Sequence, residues 1–384
     1  MGEDVGMLTE SLDRTVLAFR GYNVTNLGRT GELLRDRRYE PIVAETLREA
    51  SEVCAEVTGK PVRLVDRVRR GRETTLRSYA QAIALVVGTE IAQIRILEAV
   101  HGIDYRQVRA LMGYSLGEIT ALAVGGVVDW REALALPLEL ASDCVDLAKG
   151  VTLAVVFTRQ RKLEESDIQR LCLQVNERGR VVIGVSAWLA PNSILLMGQG
   201  RTIDAFRELA VRQLEVPILV RKNTQRWPPL HTPIMWQRSV VDRVSQRMHT
   251  LHFELQRPAP PVWSLVTGGE DYSDVNHRDM LRRWVDHPQR LWDVVDRIFN
   301  SSVTHVVHVG PGPNIIPATL KRLADNVRVQ LKNNMGMRAL AVAARRPWLA
   351  ALLPEDSALL LAPELTQFNL EDWLLGGENG ESAA

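Results

Sequence analysis

Gly113-Tyr114-Ser115-Leu116-Gly117 satisfies the pattern G-x-S-x-G. A serine nucleophile needs this spacing because it stands on a sharp strand-to-helix turn, where flanking glycines let backbone and helix approach without Cβ clashes. The context fits: residues 108–113, VRALMG, read as a short strand, and a helix is predicted from Leu116. Such a turn exposes the Ser115 hydroxyl and puts the Leu116 amide at a helix N-terminus, where it can stabilise an oxyanion. A structural turn around an inert serine satisfies the same positions. A reactive serine also needs a base. The candidates are His101, His231, His249, His252, His277, His287, His305 and His308. His231 stands apart because WPPLHTPIM is Pro-rich and non-helical, a stretch able to hold a side chain rigidly toward a cleft. Spacing alone does not choose among them.

The surrounding elements alternate in the α/β manner. Residues 14–20, RTVLAFR, read as a buried first strand ending at Gly21 in a loop. Ile42, Val43, Leu47 and Val53 then recur at helical spacing, and a helix from about Thr74 carries Ala82, Ile83, Leu85, Val86, Ile91, Ile94 and Leu97 on most of its sides. Strand, tight turn and helix around Ser115 complete the pattern of a parallel sheet. Between 150 and 221 the rhythm becomes β-α-β-β-α-β, the order of a ferredoxin-like unit. Helices near 233–247 and 277–299 and the strand THVVHVG resume the earlier pattern. The expected organisation is therefore a discontinuous large α/β domain, 1–149 and 222–330, with a small ferredoxin-like domain, 150–221, inserted in it. Residues 331–384 form an extension whose last stretch, GGENGESAA, reads as disordered.

Composition narrows the function classes. In 384 residues, 47 Lys+Arg face 46 Asp+Glu, and the net charge of +1 argues against general binding to nucleic acid or to a membrane surface. No apolar run approaches the ~20 residues of a membrane span, and the acidic N-terminus lacks a signal core. Cys54, Cys144 and Cys172 are few, far apart and outside any CxxC, so neither a disulfide framework nor a zinc site is encoded, and a reducing cytoplasm fits best. No P-loop, helix-opening GxGxxG or HExxH points to a nucleotide or a metal.

Six blocks of the chain resemble malonyl-CoA:acyl-carrier-protein transacylases and the acyltransferase domains of polyketide and fatty-acid synthases. GYSLGEITALAVGGVVDW resembles their nucleophile region, usually GHSxGE, and PLHTPIM their histidine motif, commonly FHSPLM. HVVHVGPGPNIIPATLKR resembles their late strand-loop-helix, and LRRWVDHPQRLW their Q-L-x-x-P-V-x-W segment. SYAQAIA fits the T-x-x-x-Q-P-A helix, and FRGYNV stands where FPGQGS is expected. The resemblance implies a hydrolase-like parallel-sheet large domain with the inserted ferredoxin-like domain. It implies a Ser115–His231 dyad, with oxyanion donors from the backbone amides of Leu116 and Tyr22. It also implies a backbone carbonyl at His287 orienting the imidazole, and substrate contacts from Gln81, Tyr114 and Leu140. The substrate would be a coenzyme A or phosphopantetheine thioester, with no cofactor bound permanently, and the partners acyl-CoA and an acyl carrier protein.

One departure bears on specificity. Malonyl-type members place a carboxylate-binding arginine where this chain has Leu140, next to Glu139. A buried carboxylate without a bidentate partner faces a desolvation cost of several kcal/mol (order of magnitude). Arg131 is a possible substitute, though its place on the helix points it to solvent. The acyl group is therefore expected to be uncharged at its far end. Arg63, Arg67, Arg69, Arg70 and Arg72, or else Arg221, Lys222 and Arg226, could dock an acidic carrier or simply be solvated. The apolar tail, with Leu352, Leu353, Leu359, Leu360, Leu361, Trp373 and Leu374, requires burial, against its own chain or a partner. The expected activity is acyl-carrier-protein S-acyl transfer in polyketide or fatty-acid biosynthesis. An acyl-thioester hydrolase and a non-catalytic docking subunit are the alternatives.

Overall fold

The computed structural model describes residues 11–376 apart from 160–161, 178, 180, 334–336, 339 and 342–354. Its strands are β1 (Thr15–Phe19), β2 (Ala110–Gly113), β3 (Val151–Phe157), β4 (Ile183–Ala190), β5 (Ser193–Gln199), β6 (Leu219–Lys222), β7 (Val262–Trp263), β8 (His305–Val309) and β9 (Thr366–Asn369). One sheet has the order β7-β2-β1-β8-β9 with every neighbouring pair parallel. Both faces of β1 are buried, which is why VLAF after Thr15 is continuously apolar. Leu17 and Phe19 enter a core shared with helices Glu40–Thr58, Tyr79–Ala99 and Trp130–Ala148. Val16 and Ala18, on the other face, meet Val294, Val295 and Ile298 of helix Leu291–Phe299.

The second sheet, in the order β4-β5-β3-β6, is antiparallel throughout. Helices Glu165–Asn176 and Thr202–Gln213 cover one face through Ile168, Leu171, Phe206 and Leu209. This is a ferredoxin-like unit. The molecule is thus α/β, a large parallel-sheet domain with a small ferredoxin-like one.

The helix read near 233–247 is a 3-10 segment, Pro233–Ser239, kinked at Gln237 and Arg238, followed by helix Val240–Met248. Four further departures from the sequence reading bear on the fold. The stretch 277–299 is two helices, His277–Asp286 and Leu291–Phe299. Pro288 forces its predecessor out of the helical region, and His287 is extended with φ −94° and ψ 143°. Helix Leu76–Ala99 is long and apolar enough to cross a membrane, contrary to expectation, but 83% of its apolar window is buried inside the molecule. β7, only two residues long, carries too short a pattern to read. The fourth departure is in the tail, which contributes β9 parallel to β8 at the sheet edge. Leu370 and Leu374 are buried in the large core, Leu360 is buried too, and Trp373 packs against the large core. The Glu371 carboxylate accepts the backbone N–H of Arg29 at 2.9 Å and of Gly312 at 2.7 Å. The tail therefore packs on its own chain. Leu352, Leu353 and GGENGESAA beyond Gly376 lie outside the described residues.

Candidate active site

Ser115 follows β2 and precedes helix Leu116–Val124, with φ 54° and ψ −114°. Both flanking glycines are forced by contact. A Cβ on Gly113 would lie 2.0 Å from the Gly117 carbonyl carbon, and one on Gly117 would lie 2.3 Å from the Phe19 oxygen. Gly21 has the same constraint, since its Cβ would approach the Tyr114 oxygen to 2.8 Å and Ser115 Cβ to 3.3 Å. The loop carrying Tyr22 therefore runs directly over the serine. Buried Arg20 ties that loop down: its Nε donates to the Gly21 oxygen and its Nη2 to Asn26 Oδ1, both at 2.8 Å, and its Nη1 to the Pro311 oxygen.

His231 Nε2 lies 2.7 Å from Ser115 Oγ, and Nδ1 lies 2.6 Å from the backbone oxygen of Trp284. The last carbonyls of a helix have no partner within it. Helix His277–Asp286 offers two of them to His231, the Trp284 oxygen to the ring and the Val285 oxygen to the backbone N–H at 2.8 Å. A carbonyl can only accept, so Nδ1 carries the proton and the Nε2 lone pair faces the serine. Burial pushes the imidazole down to about 4, against the opposing pull of the Trp284 carbonyl and Asp286. His231 is thus a neutral acceptor across the ordinary pH range. Its own φ of 65° is unusual for a non-glycine residue and is held by these bonds on both sides of the ring and chain.

Two side chains that sequence reasoning missed complete the constellation. Gln289 Oε1 accepts the Ser115 N–H at 2.8 Å, and Trp284 Nε1 donates to the Ser115 oxygen at 2.8 Å. Gln289 also joins β4 through its backbone, donating to the Ser186 oxygen at 2.9 Å and accepting from the Trp188 N–H at 2.8 Å. Its Nε2 lies 3.3 Å from His231 Nδ1, a close approach of two donors rather than a bond. The sequence signal for Gln289 was a polar residue where the family segment has valine after proline. Trp284 had none, because what it offers the histidine is main chain.

His287 does not supply the carbonyl expected of it. The helix ends before it, so the carbonyl comes from Trp284, and the His287 ring turns to Asp286 Oδ1 at 2.6 Å. Gln81 is likewise displaced, its Oε1 accepting from Arg67 Nε at 2.9 Å outside the site. Leu140 is 2% exposed within the large core and does not border the cavity at Ser115. Arg131 is ion-paired with Glu49 near the surface. Tyr22 and Tyr114 do border that cavity, and Leu116 is the first residue of its helix. The Tyr22 ring packs edge-on against Tyr79 at 4.8 Å and Trp227 at 5.8 Å.

The cavity over Ser115 and His231 holds about 370 Å³. Its walls include Leu153, Val155, Leu195, Met197, Trp227 and Ile315, and no Lys, Arg, Asp or Glu is among the described residues lining it. A wider and more open depression of about 650 Å³, bordered by Glu40, Arg48 and Arg69, contains neither the serine nor the histidine. Among the described residues, no group of three or more His, Cys, Asp or Glu is placed to hold a metal ion.

The fold is a parallel large sheet bearing Ser115 at a strand-to-helix turn, with a ferredoxin-like unit whose β3 and β5 help to wall the cavity above it. Comparison with solved structures agrees: FabD from Acinetobacter baumannii superposes with a TM-score of 0.65 at 19% identity, over 81% of this chain and 91% of that one. A type II polyketide-synthase acyl-carrier protein complex with its malonyl-transacylase, PlMCAT:AntF, matches with a TM-score of 0.61 at 20% identity, over 80% and 92%. By sequence, the malonyl CoA-acyl carrier protein transacylase of Escherichia coli (strain K12) is 23% identical over 310 residues, 79% of this chain and 91% of that protein. No family model matches the chain. Its relatives by sequence and by fold are malonyl-CoA:acyl-carrier-protein transacylases, the family its six motif blocks resemble.

Proposed function

We propose that the protein is an acyl-carrier-protein S-acyltransferase that works through an acyl-Ser115 intermediate. The observation that carries this reading is the 2.7 Å contact between Ser115 Oγ and a His231 ring whose other nitrogen is fixed by a carbonyl. In the first half-reaction Ser115 Oγ attacks the thioester carbonyl of an acyl-CoA or acyl-carrier protein while His231 Nε2 takes the hydroxyl proton. The amides of Leu116 and Tyr22 are the donors proposed for the tetrahedral oxyanion. Collapse breaks the C–S bond, and His231 returns the proton to the leaving thiol. The second half-reaction runs in reverse, with the phosphopantetheine thiol of a carrier protein attacking the seryl ester. Coenzyme A and phosphopantetheine are substrates in this scheme, and no bound cofactor is required by it. The names of the relatives support transacylation, and the carrier-protein complex among the fold neighbours supports the partner. The three buried, unpaired cysteines accord with a reducing cytoplasm.

The proposed acyl group is not malonyl. A carboxylate entering a cavity whose described lining carries no charged side chain gives up water and gains no bidentate partner there. Intact-mass spectrometry after incubation with a panel of acyl thioesters tests the whole reading. The expected result is a serine-linked adduct in the native protein and none in Ser115→Ala. An adduct that persists in that variant overturns the assignment.

A further inference from the structure

Leu153 and Val155 alternate along β3 and so project from one face of the small sheet. Their cross-strand partners in β5 are Met197 and Leu195 respectively. Opposed side chains on one face of an antiparallel pair are in contact, so the four form one continuous apolar patch. The other face, with Ala154, Val156, Ile194 and Leu196, packs on the unit's own helices and needs nothing from this side. All four patch residues line the cavity over Ser115, and Ile315 and Ala318 line it as well. Interiors are close-packed, and a hollow of about 370 Å³ beside a nucleophile exceeds what an acetyl group fills.

From this geometry we infer that the acyl group is an aliphatic chain, butanoyl or longer, lying along the Leu153–Val155–Leu195–Met197 face. The inference rests on the acyl-Ser115 reading and names its substrate class. Every methylene that leaves water for this face favours acylation roughly fourfold, until the hollow is full. Chain length, rather than a head-group charge, is then what the site measures.

The test is the rate of Ser115 acylation with acetyl-, butanoyl-, hexanoyl-, octanoyl- and malonyl-CoA, followed by intact mass on the full chain. The expected result is kcat/KM rising roughly fourfold per methylene across the early members, with malonyl-CoA the poorest donor. Leu195→Trp, which fills the hollow, should lower the octanoyl-to-acetyl ratio at least tenfold. Met197→Phe serves as the second variant should the first fail to give a native melting transition. A wild-type preference for acetyl or malonyl, or an octanoyl-to-acetyl ratio unmoved in the folded variants, overturns the chain inference and leaves the acyl-serine standing. Absence of an adduct from every donor overturns both together.

Discussion

The side-chain oxygen of Gln289 accepts the backbone N–H of Ser115, and the same residue's backbone is stitched into β4. One glutamine therefore fixes the serine's turn relative to the small sheet that walls the cavity. Gln289→Leu removes the acceptor from the half-buried Ser115 N–H, a loss of about 1–3 kcal/mol. Acylation kcat/KM should fall about 10–100-fold. Gln289→Glu keeps an acceptor but sets a carboxylate near His231 Nδ1, which favours the imidazolium. Its acid limb should therefore move to higher pH, a displacement that a purely structural role for Gln289 does not produce.

His231 titrates low because it is buried, down to about 4 against an ordinary 6.5. Only the neutral ring can take the Ser115 proton, so activity is lost as pH falls through the lowered value and is flat above it. The acid limb of kcat/KM for acylation should have its midpoint near 4. A midpoint at 6.5 or above is incompatible with the buried ring described.

His287 and Trp284 separate main-chain from side-chain roles. His287→Ala leaves the Trp284 carbonyl in place and should change kcat by less than about threefold. Trp284→Phe keeps that carbonyl but deletes the indole N–H bonded to the Ser115 oxygen. It should cost about 1 kcal/mol of stability and roughly tenfold in kcat, with KM nearly unchanged. Parallel melting curves and steady-state rates on the two variants check the ordering.

Glu118 governs a pH dependence of stability rather than of chemistry. Burial raises its carboxyl to about 7, although Ser264, Tyr272 and the Leu265 N–H all donate to it. The folded protein thus holds a proton that the unfolded chain releases above about 4.5, and the stabilisation is lost as pH rises from there through 7. Glu118→Gln has no such proton to lose. Between pH 5 and 8 the variant should gain roughly 2–3 kcal/mol relative to the native protein. Urea unfolding at a series of pH values measures the difference, and a gap that stays constant refutes the argument.

Ser115 stood out by its glycine-flanked turn and His231 by the resemblance of PLHTPIM, and the structure brings the two side chains to 2.7 Å. The alternating small domain was readable from its strand and helix rhythm. What failed was the residue-by-residue carry-over at His287, whose carbonyl is not the one on His231 Nδ1. Pro288 ends the helix before His287, so the orienting carbonyl shifts to Trp284, and main-chain oxygens leave no mark on a sequence. Gln81 accepts from Arg67 Nε at 2.9 Å and does not line the cavity, a pairing the spacing of the two residues did not announce. Leu140 faces the core because its helix lies against Glu40–Thr58 and Tyr79–Ala99. The fifth strand, TQFN, was too short and too polar to announce itself within an apolar tail.

The sheet that carries Ser115 is assembled from distant segments. Val16 lies between Ala110 on one side and Val306 on the other, with the entire β3–β6 unit intervening in sequence. Loop-closure entropy must be met before such pairings contribute, whereas in the small sheet β4 and β5 join as near neighbours and β3 reaches β6 at Phe157 and Leu219. The parallel sheet around β1 thus contains the longest loop closures between paired strands, those of β1 with β8. The turn at Ser115 hangs on that sheet, so its geometry depends on the strand pairings the chain closes at the greatest entropic cost.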